Sequence, residues 1–480
     1  MSARSRELLG LIPVTLLVSA GFAAVLVTRT NDVSGVTVTY GAFFLGLCVV
    51  AHLFIRSRLP EADPYLFPLA ALLAAVGLVE IYRIDTELAR EQAQWFVVGL
   101  LFFVGTILAI RDHHVLERYR YTIAAAAIAL LAMPRLPGIG SQVNGAFLAV
   151  KVGPIQFQPA EFAKLGIIVF LASYLREAGD VLVRPRLRQL PGGQALLLYG
   201  GTAVAVLLVI LVLHLGAAAA VLLAVLAASL VALIRERPSL KHFGPLLLVW
   251  GLAMLMLIVI RDLGSSLMFF GAFLALLYVS TGRLSLVGVG ATLFFAGAIF
   301  VANGVSHVHE RVDVWRDPFA PDVVDDEGYQ IAQGVFAQAD GGLFGQGFGQ
   351  ALLELPGGGT ILPAAHTDLI YAVITNELGL FGAVGLVLVY LLLAARGFKT
   401  AMLASDGFSK LLAAGLAAVL ALQVFVIVGG VTRVIPLTGV TLPFVSYGGS
   451  SIVANMVLLA LLLIVSDRAR AENARRGGLV

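Results

Sequence analysis

Cysteine is almost absent from this chain of 480 residues: Cys48 is the only one, and it lies inside an apolar run. A single thiol cannot build a disulfide framework or a cysteine-based metal site. Charge is scarce too. Asp, Glu, Lys and Arg make up 13% of the residues, roughly half the share of about 25% in a soluble globular protein. No GKS/T phosphate loop, HExxH pair or dinucleotide fingerprint occurs. That removes support for soluble-type ATPases, zinc proteases and nucleotide-cofactor enzymes. The net charge of +3 says little, because the charges are confined to short loops.

What fills the chain is apolar: 59% of residues, with mean hydropathy +0.96. Apolar runs of about 18 residues recur from end to end, each long enough to cross roughly 30 Å of hydrocarbon. Backbone groups in lipid must be satisfied within the segment. The expected fold is therefore an all-α polytopic membrane protein. Fourteen candidate spans fall near 8–28, 37–55, 65–82, 94–110, 120–134, 160–176, 194–213, 216–234, 243–260, 264–281, 285–303, 366–395, 411–430 and 445–466. The first follows Met-Ser-Ala-Arg-Ser-Arg without a convincing cleavage site, so it reads as an uncleaved helix.

Basic residues mark cytoplasmic loops. With the N-terminus inside, RSRLP (56–60), RDHHVLERYR (111–120), REAGDVLVRPRLRQ (176–189), RERPSLKH (235–242), Arg396, Lys399, Lys410 and DRARAENARR (467–476) all fall on the inner side. With Arg4, Arg6 and Arg283, that is about 22 of the 32 basic residues. The expected topology has both termini in the cytoplasm. Two long segments, 135–159 and 304–365, then lie outside. The second holds Trp315, Phe319, Tyr329, Phe336, Phe344 and Phe348 among glycine-rich runs, and reads as a folded cap rather than a linker. LVLHLGAAAAVLLAVLAASLVAL (211–233) resembles IVIRDLGSSLMFFGAFLALLYV (258–279), either as a duplicated hairpin or as two similar Ala/Leu helices.

Ionisable residues at membrane spans are costly and mark functional candidates. Glu161 and Lys164, at i and i+3, either pair with each other or leave Lys164 facing a cavity to hold an anionic group. Arg261 and Asp262 form an outer-end salt bridge or a site. Thr367 and Asp368, beside His366, suit a helix cap or a binding role. Glu377 and Arg433 complete the set. Arg433 precedes IPLTGVTLPFVSYGGSS (435–451), whose two prolines and paired glycines break the helix. N–H groups near Gly448 and Gly449 suit an anion there.

One stretch stands apart from the rest. HERVDVWRDPFAPDVVDDEGYQ (309–330) carries seven acids: Glu310, Asp313, Asp317, Asp322, Asp325, Asp326 and Glu327. Trp315, Pro318, Phe319 and Pro321 are interleaved with them. The run is either a solvated face or a set of fixed carboxylates. A fixed carboxylate can act as a general base, and several can bind a divalent cation such as Mg or Mn.

FQPAEFAKL (157–165), RDLGSSL (261–267), DEGYQIAQ (326–333), GGLFGQGFG (341–349), AAHTDLIYAVITNELGLFG (364–382) and IPLTGVTLPFVSYGGSS (435–451) occur in the order found in the SEDS family, the bacterial RodA- and FtsW-type proteins. The resemblance covers about 65–470. It implies a core of about ten spans. Four extra spans then remain: an N-terminal hairpin (1–64) and an inserted hairpin (194–234) within the domain 65–480. It implies a peptidoglycan glycosyltransferase that polymerises lipid II at the outer face of the cytoplasmic membrane. Implied partners are lipid II, the growing glycan on undecaprenyl pyrophosphate and a class B penicillin-binding protein, with no nucleic acid. The essential carboxylate is implied in the loop 304–365, with Asp322 the first choice and Asp317 the second. Glu161, Lys164, Arg261, Asp262, His366, Asp368, Glu377, Arg433, Ser446, Gly448, Gly449 and Ser450 are implied to hold substrate. Leu148 stands near where relatives show Trp, and Asn376 where they show an acid.

Overall fold

The computed structural model describes residues 2–30, 35–143, 146–153, 155–183, 199–207, 221, 223–229, 231, 251–252, 260, 262–304, 306–321, 323–353 and 360–477. Helices dominate. Two form an N-terminal hairpin, α1 (Ala3–Thr30) and α2 (Gly35–Arg58). Then follow α3 (Leu66–Ile84), α4 (Thr86–Ala109), the short α5 (His114–Arg118), α6 (Arg120–Ala132) and α7 (Pro159–Val183). Later in the chain come α8 (Leu263–Thr281), α9 (Leu284–Gly304), α10 (Ser306–Arg316) and α11 (Tyr329–Gly341). The chain closes with α12 (Ile370–Leu403), α13 (Gly407–Val431) and α14 (Gly449–Gly477). Eight described helices are long and apolar enough to cross a membrane, so this is a polytopic all-α membrane protein. The expected spans 194–213, 216–234 and 243–260 lie largely outside the described residues, as does the first copy of the suspected repeat.

The core is built around α13 and α14, the most deeply buried of these helices, with α3, α4, α7, α8 and α12 packed around them. Small residues let backbones approach closely, the usual route to tight packing between membrane helices. A Cβ on Gly77 of α3 would lie 2.4 Å from the Val445 carbonyl oxygen, so only glycine fits there. At the end that carries both termini, loops are tied by charge. Asp63 accepts from Arg396 Nε at 3.1 Å, and Glu61 N–H donates to Asp467 at 2.8 Å.

The long segment 135–159, between α6 and α7, carries a small antiparallel sheet of β1 (Gly140–Val143), β2 (Ala146–Val152) and β3 (Ile155–Phe157) in the order β1-β2-β3. One expectation needs correction: α12 does not open on a capped His-Thr-Asp. It begins at Ile370 with no side-chain cap, and it breaks at Gly379, where φ is +66°. The backbone groups freed by that break are met by the glycine-rich run 341–349. Gln346 and Gly347 N–H donate to the Asn376 and Glu377 carbonyls, and Leu380 and Phe381 N–H donate to those of Gly342 and Leu343. A Cβ on Gly345 would lie 2.0 Å from the Glu377 carbonyl oxygen. The glycines are there because two backbones interlock.

Candidate functional site

At the end of the bundle away from the termini, segments from across the chain enclose a cavity of about 740 Å³. The β-sheet supplies Leu148 and Gln156, α4 supplies Trp95, α10 supplies Glu310 and Arg311, and α11 supplies Gln330. Asp262 caps α8, and the pre-helical turn before α12 brings His366 and Asp368. The broken segment 437–448 and the first turn of α14, Gly449–Ser451, close the remaining side.

Local hydrogen bonds explain how each wall is set. Arg311 Nη1 donates to the Leu437 carbonyl at 3.0 Å, which pins α10 on the broken segment. Tyr447 N–H donates to the His366 carbonyl at 2.8 Å, and Ser446 Oγ donates to that of Thr367 at 2.8 Å. Gln158 N–H donates to Ser450 Oγ at 2.9 Å, joining the sheet to α14. Gln92 reaches the same segment from α4, its amide donating to the Ser446 carbonyl at 3.1 Å and accepting from Gly448 N–H at 3.2 Å.

Arg311 is the only Lys or Arg that lines this cavity among the described residues. No carboxylate there comes within ion-pair distance of it, although Asp262 and Asp368 both act on it electrostatically. Burial pushes Asp368 up to about 6, opposed by Arg311, and no hydrogen bond to its carboxylate comes from the described residues. Burial also raises Asp262, against hydrogen bonds from Ser265 and the charge of Arg311. Burial lowers His366, which keeps its imidazole neutral at pH 7. Two wall atoms, Gln330 Nε2 and Thr441 Oγ1, are buried without a partner among the described residues. A cation, two orphaned polar atoms and a helix N-terminus facing one space suit an anionic, hydrogen-bonding ligand.

The structure thus gathers part of the expected set and separates the rest. Asp262, His366, Asp368, Gly448, Gly449 and Ser450 line the cavity. Lys164 does not. Its Nζ is buried against Glu161 at 2.6 Å, Gln423 at 2.8 Å and Asn455 at 3.4 Å. Glu377 pairs with Arg83 at 2.6 Å and accepts from Gly349 N–H at 2.8 Å, which makes it a staple for the glycine-rich run. Ser446 is buried within the broken segment. Arg433 faces away from the cavity. Its guanidinium donates to the Trp315 and Arg316 carbonyls at 3.1 Å each, while its own carbonyl accepts from Trp315 Nε1 at 3.0 Å. Asp317 is exposed on the turn after α10 and does not line the cavity. Arg261 and Asp322 lie outside the described residues.

Sequence reasoning passed over Arg311, Gln330 and Trp95. Arg311 sits inside the acidic stretch, where attention fell on the carboxylates. For a divalent cation, the only close group of metal-ligating side chains among the described residues is Asp112, His113 and His114. It lies near the termini, and Arg468 Nη1 already stands 2.6 Å from Asp112. That guanidinium occupies the place a cation would need, so these residues do not fit a metal.

The profile of the FtsW/RodA/SpoVE cell cycle protein family matches residues 64–235 and 220–471. The chain belongs to that family. Among its members, the peptidoglycan glycosyltransferase RodA of Mycobacterium tuberculosis is 38% identical over 463 residues, covering 94% of this chain and 88% of the relative. Stage V sporulation protein E of Bacillus subtilis is 26% identical over 436 residues, covering 87% of this chain and 100% of that one. Two solved family structures are similar. One belongs to a peptidoglycan synthase complex described as coordinating polymerization and crosslinking (TM-score 0.60, 26% identity, 84% of this chain and 97% of that one). The other is a mutant of the rod shape determining protein RodA of Thermus thermophilus (TM-score 0.52, 26% identity, 84% and 97%). The family profile begins at residue 64, after α1 and α2.

Proposed function

We propose that this protein is an inverting peptidoglycan glycosyltransferase that polymerises lipid II at the outer face of the cytoplasmic membrane. Both termini lie inside, and a class B penicillin-binding protein is its partner. The observation that carries the reading is a cavity in which Arg311 stands among carboxylates, in a chain whose relatives are named for this activity. A sugar hydroxyl needs a base as it attacks. The 4-hydroxyl of the acceptor's GlcNAc gives its proton to a carboxylate, its oxygen bonds to C1 of the donor's MurNAc, and the C1–O bond to pyrophosphate breaks. The departing pyrophosphate takes the electron pair and leaves on its polyprenyl carrier. Arg311 and the N–H groups opening α14 face where that charge develops.

Asp322 remains the proposed base. In sequence it lies between α10 and α11, five residues before Glu327, which lines the cavity. The exposure of Asp317 weighs against that residue. Identity of 38% to RodA against 26% to an FtsW relative of Geobacter supports a role in elongation. The test is polymerisation of labelled lipid II by the purified protein with its penicillin-binding partner, a transpeptidase inhibitor being present. Wild type should make glycan, Asp322→Ala none, and Asp317→Ala nearly normal amounts. A silent wild type, where a control synthase works, would favour transport or scaffolding.

A further inference from the structure

We propose that a second cavity, beside the first, holds sugar units of the glycan strand while the reacting end occupies the first. This rests on the polymerase reading above. The second cavity has a volume of about 700 Å³, within the range of small-ligand sites. It is bounded by Val25 of α1, by the junction of α3 and α4, and by parts of 349–366. Ala364 and His366 line both cavities, so one wall separates them. Ala364 holds a left-handed backbone with φ +53°, a strained state that persists only where its surroundings fix it.

The chemistry of the two cavities differs. In the second, the charges are already engaged. Arg83 pairs with Glu377 at 2.6 Å and donates to the carbonyls of Gly349 and Ala351. Asp85 caps α4, accepting from Glu87 N–H at 2.7 Å and Leu88 N–H at 3.2 Å. What stays available is neutral: Gln350, Thr360 and the His366 imidazole, among Leu88, Leu353 and Leu362. Neutral donors and acceptors between apolar faces suit a pyranose, whose hydroxyl and acetamido groups hydrogen-bond while its C–H faces pack. A pyrophosphate would instead seek Arg311 next door. The walls are preset as well, because Gly349 N–H is held by Glu377 at 2.8 Å and Gln346 N–H by the Asn376 carbonyl at 2.9 Å. A preset site binds without the cost of ordering its walls. A strand that leaves the first cavity past His366 therefore has a place to rest between additions. That favours long products. Val25 belongs to the hairpin before residue 64, where the family profile begins.

The test uses the full chain with its penicillin-binding partner and labelled lipid II, comparing wild type with Leu88→Trp and Gln350→Trp. Leu88 is half-buried on α4, whereas Gln350 is an exposed loop residue that tolerates a large side chain. Two quantities are read: the rate of the first coupling and the length distribution of the glycan. Each variant should keep the first rate and release the strand about tenfold faster, a change of about 1.4 kcal/mol, so mean length falls several-fold. Unchanged lengths in both monodisperse variants would overturn the proposal. So would a first coupling that falls in parallel with length, since the cavity would then serve the reacting pair itself. A wild type that makes no glycan would instead sink the polymerase reading, and this one with it.

Discussion

Lys164 and Arg311 are both largely buried cations near carboxylates, yet they occupy opposite kinds of surroundings. The three donors of Lys164 meet Glu161, Gln423 and Asn455 inside the packed junction of α7, α13 and α14. Arg311 has five donors and, among the described residues, makes one hydrogen bond, to the Leu437 carbonyl, at the wall of an open space. A saturated cation holds helices together. An unsaturated one beside orphaned polar atoms is available to a ligand. Count of partners, not burial or charge, separates the two.

The sharpest way to break this comparison is to remove Lys164. Lys164→Ala leaves the Glu161 carboxylate buried without its partner, a loss of about 3–5 kcal/mol. The expected outcome is poor yield of monodisperse protein in detergent. Replacing both members, Glu161→Gln with Lys164→Met, should restore most of the yield although no charge remains. If Lys164→Ala folds with an unchanged Tm and only its turnover is lost, Lys164 touches substrate and the comparison fails.

Arg311 should show the reverse pattern. Arg311→Ala is expected to lower kcat for lipid II polymerisation by about 10²–10³, the usual loss when a donor to developing negative charge is removed. Its Tm should fall only by what the single charged hydrogen bond to the Leu437 carbonyl contributes, far short of a collapse. Arg311→Lys should fall between the two, because an ammonium keeps the charge but not the forked geometry. A collapse in Tm with Arg311→Ala would move this residue into the structural class.

Arg433 offers a smaller test. Its guanidinium ties the Trp315 and Arg316 carbonyls to the last loop, and its backbone is left-handed with φ +60°. Arg433→Ala should cost about 1.5–3 kcal/mol through those charged hydrogen bonds, read as a lower Tm with kcat nearly unchanged. Arg433→Gly should lose less, because glycine adopts that φ without strain.

Much of the architecture was legible because hydrophobic length alone reveals a membrane helix. Every described helix that is long and apolar enough to span coincides with an expected one. The sheet at 140–157 escaped notice because its strands are only three to seven residues long, too short for an alternating pattern to stand out in the outer segment 135–159. The ionisable residues beside the spans stood out in the sequence but could not be sorted. Glu161 and Lys164 sit at a spacing that fits either a pair or a site, and only the approach of Gln423 and Asn455, more than 250 residues away, decides between them. Arg311 was missed for the complementary reason: an arginine in a stretch with seven acids looks like a counter-ion until its neighbours are known not to reach it.

The mildest perturbation is pH, acting on Asp368. Burial holds its carboxyl at about 6 rather than near 3.8. Between those values the folded protein keeps a proton that the unfolded chain has released. Stability from this group therefore falls as pH rises through that window and is level above it. Activity should run the other way if the ionised carboxylate accepts a hydrogen bond from the substrate. The rate of polymerisation should fall about tenfold for each unit below 6, or about 1.4 kcal/mol per unit, and level off above it. Asp368→Asn should remove that break in the pH profile while raising Tm at pH 7.5, because the amide carries no charge to desolvate. If the break persists in Asp368→Asn, another carboxylate of the cavity sets it, and Asp262, also raised by burial, is the next to replace.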